Sequence, residues 1–102
     1  MSAKVCFVTG SGRRIGASII RKFASEGYSV LIHVSNSVEA GESLKSELIE
    51  SGAQADLLQA DLTDENQTRG MIEAIIQHPF VKQRNGLDVL VHNASVYSLS
   101  LI

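Results

Sequence analysis

Val5-Cys6-Phe7-Val8-Thr9-Gly10-Ser11-Gly12-Arg13-Arg14-Ile15-Gly16 is the stretch on which the architecture turns. Val5 to Val8 is an unbroken apolar run, which reads as a strand buried on both faces, and Thr9-Gly10-Ser11-Gly12 ends it. Beyond the turn, Ile15, Ile19 and Phe23 recur at four-residue spacing with Ile20 and Ala24 beside them. That spacing predicts one helical face, closed by Glu26-Gly27. Glycines between a buried strand and a helix let the backbone turn sharply and approach a diphosphate. The helix start adds N–H groups and a partial positive charge. Gly10, Gly12 and Gly16 do not have the G-x-G-x-x-G spacing, because the last pair lies four positions apart rather than three. Taken alone, the turn is either a phosphate cradle or a tight connection and nothing more.

Outward from this stretch the same alternation continues. Tyr28 to Val34 predicts a second strand, rich in β-branched and large apolar residues. A second helix follows from Ser37 or Val38 to about Ser51, with Leu44 and Leu48 on its apolar face and Gly52 as its stop. Ala55 to Ala60 predicts a third strand. Asp64 then caps a third helix carrying Thr68, Met71, Ile72, Ile75 and Ile76, which Pro79 ends. Asp88 to His92 predicts a fourth strand, with Asp88 ordering its start. The pattern β-α-β-α-β-α-β, without repeat or linker, predicts an α/β fold. Its parallel sheet is covered on both faces and doubly wound, with strand order 3-2-1-4. Ligands of such sheets bind at the carboxyl ends of the strands, where every candidate residue below falls.

Composition narrows the function. With 102 residues, 44% of them hydrophobic and 20% charged, the chain suits a single small domain over residues 1–102. A net charge of −2 supplies no basic field, which argues against sequence-independent nucleic-acid binding. Cys6 is the single cysteine, which excludes an internal disulfide framework and a multi-cysteine metal site; mid-strand, it reads as an inert core residue. His33, His78 and His92 show no metal-ligand spacing, so no metal is expected. No apolar stretch approaches the ~18 residues of a membrane span, and the apolar run after Lys4 is too short for a signal-peptide core. A cytoplasmic, reducing setting is the expectation.

Thr9 to Gly16 resembles the T-G-x-x-x-G-x-G element of the short-chain dehydrogenase/reductase family. Asp61-Leu62-Thr63 and His92-Asn93-Ala94-Ser95, after the third and fourth strands, stand where that family carries D-[LVS]-[TS] and N-N-A-G. The resemblance covers the whole chain. It implies a Rossmann-type sheet truncated after the fourth strand, the cofactor-binding part of a longer domain. Arg14 stands where most members have Gly or Ala, and Ser95 replaces the final Gly. Together with His92 and Tyr97, these departures are similar to the pteridine reductases, especially the bacterial dihydromonapterin (dihydrofolate-reducing) branch. That likeness implies NADPH-dependent reduction of a dihydropterin.

The resemblance also implies roles. Gly10, Ile15 and Gly16 would line the cofactor diphosphate, with Arg14 beside it and reaching towards the pterin. Arg13, Ser35, Asn36 and Ser37 would surround the 2′-phosphate of NADP(H). No carboxylate follows the second strand until Glu39, which favours NADP(H) over NAD(H). Pteridine reductases often carry Arg at the position of Asn36, so affinity would be weaker here. The same Ser35-Asn36-Ser37 also reads as a polar loop and helix N-cap. Arg14 is otherwise a solvated cation, oddly set in a first helical turn that favours anions. Asp61 either accepts from the adenine amino group, with Leu62 packed on the ring, or helps cap the next helix. Asn93 and Ala94 would lie along the cofactor ribose, Asn93 buried and tying neighbouring strands together. Ser95 and Tyr97 would hold the pterin by an edge contact and by stacking; otherwise Tyr97 is a half-buried loop residue.

The family's proton donor is a Tyr-x-x-x-Lys pair. Tyr28 and Tyr97 are followed four positions later by Ile32 and Leu101, so no catalytic residue is assigned and the chain alone is expected to be inactive. Ending after the fourth strand would leave Leu87 to His92 as an apolar edge. A full-length form is expected to be a homo-oligomer assembled through other parts. The alternatives are a 3-oxoacyl or sugar carbonyl reductase, and a nucleotide-binding module without catalysis.

Overall fold

The computed structural model describes residues 2–12 and 14–93; Arg13, Ala94, Ser95 and Tyr97, with their expected roles, lie outside them. The elements are β1 (Val5–Thr9), α1 (Arg14–Ser25), β2 (Ser29–Val34), α2 (Val38–Glu50), β3 (Ala55–Gln59), α3 (Glu65–Gln77), α4 (Pro79–Arg84) and β4 (Val89–His92). The strands form one parallel sheet in the order β3-β2-β1-β4, as the alternation predicts. The chain runs from β1 outward to β3 and then back past β1 to β4, the path that right-handed crossovers favour. The order reverses between β1 and β4, so the crevice for a ligand opens above their carboxyl ends.

Strand periodicity splits the core into two layers. Cys6, Val8, Val30, Ile32 and Val34 pack with Ala17 and Ile20 of α1 and Leu44 and Leu48 of α2. Val5, Phe7 and Leu31 point the other way, onto Met71 of α3 and Val81 of α4. Burial pushes the Cys6 thiol up to about 11, which keeps it protonated and unreactive, as its mid-strand place predicts. Asp64 caps α3 by accepting from the N–H groups of Asn66 and Gln67. Asp88 orders the start of β4, its Oδ2 accepting from the Val5 N–H at 2.8 Å.

Three local features depart from the sequence expectation. Pro79 does end α3, but it also begins α4, whose six residues are too few to show a periodicity. In α1 the buried residues are Gly16, Ala17 and Ile20, while Ile15 is 70% exposed. Close packing at Gly16 centres the contact stripe one position along from the Ile15-Ile19-Phe23 row. In α3, Met71 is buried and Ile75 packs beneath it, yet Ile72 and Ile76 are 49% and 52% exposed. Leu90 of β4, the outer strand among the described residues, is 62% exposed. Among the described residues, no helix is long and apolar enough to cross a membrane.

Candidate functional site

The site is built from the turn after β1. Gly10 leaves the strand with a φ of 63°. A Cβ on Gly16 would lie 2.3 Å from the Gly10 carbonyl oxygen and 2.7 Å from both Ser11 Cα and Asn93 Nδ2. Only glycine lets the first turn of α1 sit this close to the strand exit. Gly12 makes a second close approach, where a Cβ would meet Val34 Cγ1 at 2.5 Å and the Gly41 nitrogen at 3.6 Å. Gly41 is itself pressed against β3, with Leu57 Cδ1 2.7 Å from where its Cβ would be. The starts of α1 and α2 therefore converge on one corner, each with its partial positive charge.

Arg14 opens α1 with a φ of 56°, a left-handed conformation that costs a residue with a side chain on the order of 1 kcal/mol. Its guanidinium side chain is exposed, as is that of Ile15. At the second strand exit, the Ser35 carbonyl accepts from Gln59 Nε2 at 3.2 Å, and Asn36 is exposed. Ser37 holds the N-cap position of α2, but its hydroxyl makes no capping bond, so the side-chain cap that the sequence allows is not formed. The first acid beyond β2 is Glu39, in the first turn of α2.

Asp61 at the third exit is not a helix cap, a task Asp64 performs alone. Asp61 Oδ1 accepts from Thr63 Oγ1 at 2.6 Å and from the Thr63 N–H at 2.9 Å. These two bonds hold its carboxyl below the usual range, so it is an anion at neutral pH. Leu62 beside it packs on the core layer under α3. At the fourth exit, Asn93 is half-buried rather than buried. It does tie the strands: its N–H donates to Thr9 Oγ1 at 2.8 Å and its Nδ2 donates to the Gly10 carbonyl at 3.3 Å.

Ser11 and His33 had no place in the sequence reading of the site. Ser11 is fully buried; its Oγ donates to the Val8 carbonyl at 2.7 Å and accepts from the His33 N–H at 2.9 Å. The His33 ring accepts from the Gly10 N–H at Nδ1, 2.8 Å away, and meets the Ala60 carbonyl through Nε2 at 2.9 Å. A histidine next to a polar loop carries no signal for such bonds in sequence, since its partners come from two other strand exits.

The family described as short chain dehydrogenase matches residues 4–101. An uncharacterised oxidoreductase of Methylorubrum extorquens is 33% identical over 102 residues, covering all of this chain and 39% of that protein. Elsinochrome reductase 1 of Elsinoe fawcettii is 36% identical over 98 residues, 96% of this chain and 35% of its own length. Among solved structures, FolM alternative dihydrofolate reductase 1 from Brucella canis, complexed with NADP, is 35% identical with a TM-score of 0.76. That match covers 92% of this chain and 35% of the other. The chain thus spans little more than a third of the length of these relatives.

Proposed function

The chain belongs to the short-chain dehydrogenase family, and from that premise we propose that residues 1–102 form the NADP(H)-binding part of a reductase acting on a dihydropterin. The observation that carries the cofactor reading is the corner where α1 and α2 converge. Its glycine contacts exclude side chains, its Ser37 hydroxyl is not spent on a cap, and Ser35 to Ser37 carries no acid. A cradle of this kind suits a diphosphate and a further phosphate, and a carboxylate at the exit of β2 would repel the latter. Gly10, Ile15 and Gly16 would take the diphosphate with Arg14 beside it. Arg13, Ser35, Asn36 and Ser37 would hold the 2′-phosphate, and Asp61 and Leu62 the adenine. Asn93 and Ala94 would flank the ribose.

NADPH, when bound, supplies a hydride. The residues of this chain bind and orient; no tyrosine in it has a lysine four positions on, so its part in the reaction is positioning rather than proton donation. The dihydropterin reading is supported by Arg14, by His92-Asn93-Ala94-Ser95 and by likeness to the Brucella dihydrofolate reductase. Ser95 and Tyr97 would contact the pterin. The second reading is a 3-oxoacyl or sugar carbonyl reductase, since the relatives include a reductase named for another substrate, elsinochrome.

Titrating the full chain with NADPH and NADH tests the cofactor. NADPH is expected to bind about tenfold tighter or better, a difference of about 1.4 kcal/mol; tighter NADH binding would sink the reading. For the substrate, Tyr97→Ala in the full-length enzyme should raise the dihydropterin KM strongly and leave the NADPH KM alone. An unchanged pterin KM, with turnover of a carbonyl compound instead, selects the second reading.

A further inference from the structure

His33 is 1% exposed and uses every polar group it has. Its N–H donates to Ser11 Oγ at 2.9 Å, and its carbonyl accepts from the Ser11 N–H at 2.9 Å. Nδ1 accepts from the Gly10 N–H at 2.8 Å, so the ring proton sits on Nε2 and is donated to the Ala60 carbonyl at 2.9 Å. Ala60 immediately precedes Asp61, and its own N–H donates to the Val34 carbonyl at 3.1 Å. One imidazole therefore spans the turn after β1 and the exit of β3. Phe7 lies against it in an edge-to-face arrangement, with ring centroids 6.3 Å apart and planes 75° apart.

From this we infer that His33 is a positioning residue for the dinucleotide: its neutral ring, seated against the exit of β3 before Asp61, holds the Gly10 turn of the Gly10–Gly16 cradle in place. The inference rests on the NADP(H) reading above, because those two places would receive the diphosphate and the adenine. The bond to Gly10 matters more than the bond to Ala60. Gly10 is the residue at which β1 turns into the cradle, and Nδ1 holds its N–H and with it the course of that turn. An imidazolium would have no acceptor at Nδ1 and would release that turn. Among the described residues, the ionisable neighbour that bears on the ring is His92 of β4, whose charge would oppose a second one; β1 presents the Phe7 ring, and the exit of β3 presents the Ala60 carbonyl.

Two isosteric variants of the full chain separate the two bonds. The Oδ1 of His33→Asn takes the place of Nδ1 and keeps an acceptor for Gly10; the Nε2 of His33→Gln keeps a donor for Ala60 and loses that acceptor. Both delete the ring contact with Phe7, so a merely structural role would lower both melting temperatures and leave NADPH binding alike. The expectation is a split: the NADPH Kd rises about tenfold in His33→Gln and stays within about threefold in His33→Asn, in line with the bond to the cradle at Gly10 being lost in the first and the bond to Ala60 in the second. Equal affinities in the two variants, or a greater loss in His33→Asn, overturn the inference. Hydrogen exchange at the Gly10 amide of the wild-type chain decides the case if a variant does not fold. Protection that disappears as the imidazole 15N shifts report protonation of Nδ1 supports the bond; protection indifferent to that protonation overturns it. If the wild-type chain binds no NADPH, the cofactor reading falls and the positioning role with it, whereas normal binding unaffected by His33→Gln removes the positioning role alone.

Discussion

The two ends of the sheet are fastened with different chemistry. At the amino ends carboxylates take part, beside the neutral pair in which Ser29 Oγ donates to Gln54 Oε1 at 2.7 Å. Asp88 accepts from the Val5 N–H and pairs with Arg84 at 3.0 Å, and Asp56 bridges Lys45 of α2 at 3.1 Å and His78 at 2.7 Å. At the carboxyl ends of β1, β2 and β4 the corresponding fasteners are neutral: the Ser11 hydroxyl, the His33 ring, Thr9 Oγ1 and the Asn93 amide. His33 and His78 make the same pair of bonds, Nδ1 accepting from a backbone N–H and Nε2 meeting an oxygen, but the oxygen is a carbonyl in one and a carboxylate in the other. Helix N-termini point at the carboxyl ends, and a carboxylate fastener there would consume the positive potential a phosphate needs. The end held by neutral groups is the end left available to an anion.

The largest effect comes from breaking the neutral end at its tightest point. Gly16→Val forces a side chain into the space 2.3 Å from the Gly10 carbonyl, where backbone must move. The expected cost is about 3 kcal/mol in urea unfolding, with NADPH binding lost. At the other end, Asp88→Asn removes a charged fastener and should lower the melting temperature with the NADPH Kd unchanged. A drop in affinity with Asp88→Asn would mean that the two ends are coupled, and the contrast between them would fail.

Titration sharpens the contrast, because the two ends lose stability in different pH windows. Burial holds His33 below its ordinary value of 6.5, so the unfolded chain takes up the proton first. Its contribution is complete above about that pH and is lost as the pH falls further, with a slope of at most about 1.4 kcal/mol per pH unit. Asp88 is held below the ordinary carboxylate value of 3.8 by Arg84 and by the Val5 N–H. Asp56 is held below it too: burial pushes it up, but bonds from His78, the Leu57 N–H and Lys45 prevail. Their contributions persist to lower pH and disappear only as it falls through the acidic range. Unfolding free energy measured against pH should therefore bend first below pH 6.5 and again near pH 4. His33→Asn should erase the upper bend and spare the lower.

The neutral end was also the harder one to read from the residues. Strand order, both layers of the core and the Asp64 cap follow from apolar runs, crossover handedness and one short acidic side chain before a helix. The cradle glycines are visible as a cluster, but what Gly16 and Gly12 touch is not, because Asn93 and Val34 arrive from elsewhere in the chain. Gly41 sits inside a helical pattern, where its closeness to Leu57 leaves no trace. Four-residue spacing groups Ile15 with Ile19 and Phe23, which pack on the core, but it does not reveal that the row leaves the contact stripe at its first member. Ser11 and His33 act through backbone partners on other strands, and a hydrogen bond to a main-chain group leaves no pattern in side-chain identity.

Arg14 offers the smallest and most selective test. It holds a φ of 56° that glycine adopts freely, and it places a cation in a helical turn whose dipole disfavours one. Both facts work against stability, so neither explains why an arginine stands there. Arg14→Gly relieves the backbone and the charge at once, while adding freedom to the unfolded chain, which takes part of the gain back. The net expectation is a stability equal to the wild type or higher by up to about 1 kcal/mol. NADPH binding should weaken and its dependence on salt should flatten, because one cation near the phosphates is gone. A variant that loses stability and keeps its affinity would reverse the assignment, making Arg14 a structural residue beside strand exits whose fasteners, at β1, β2 and β4, are neutral.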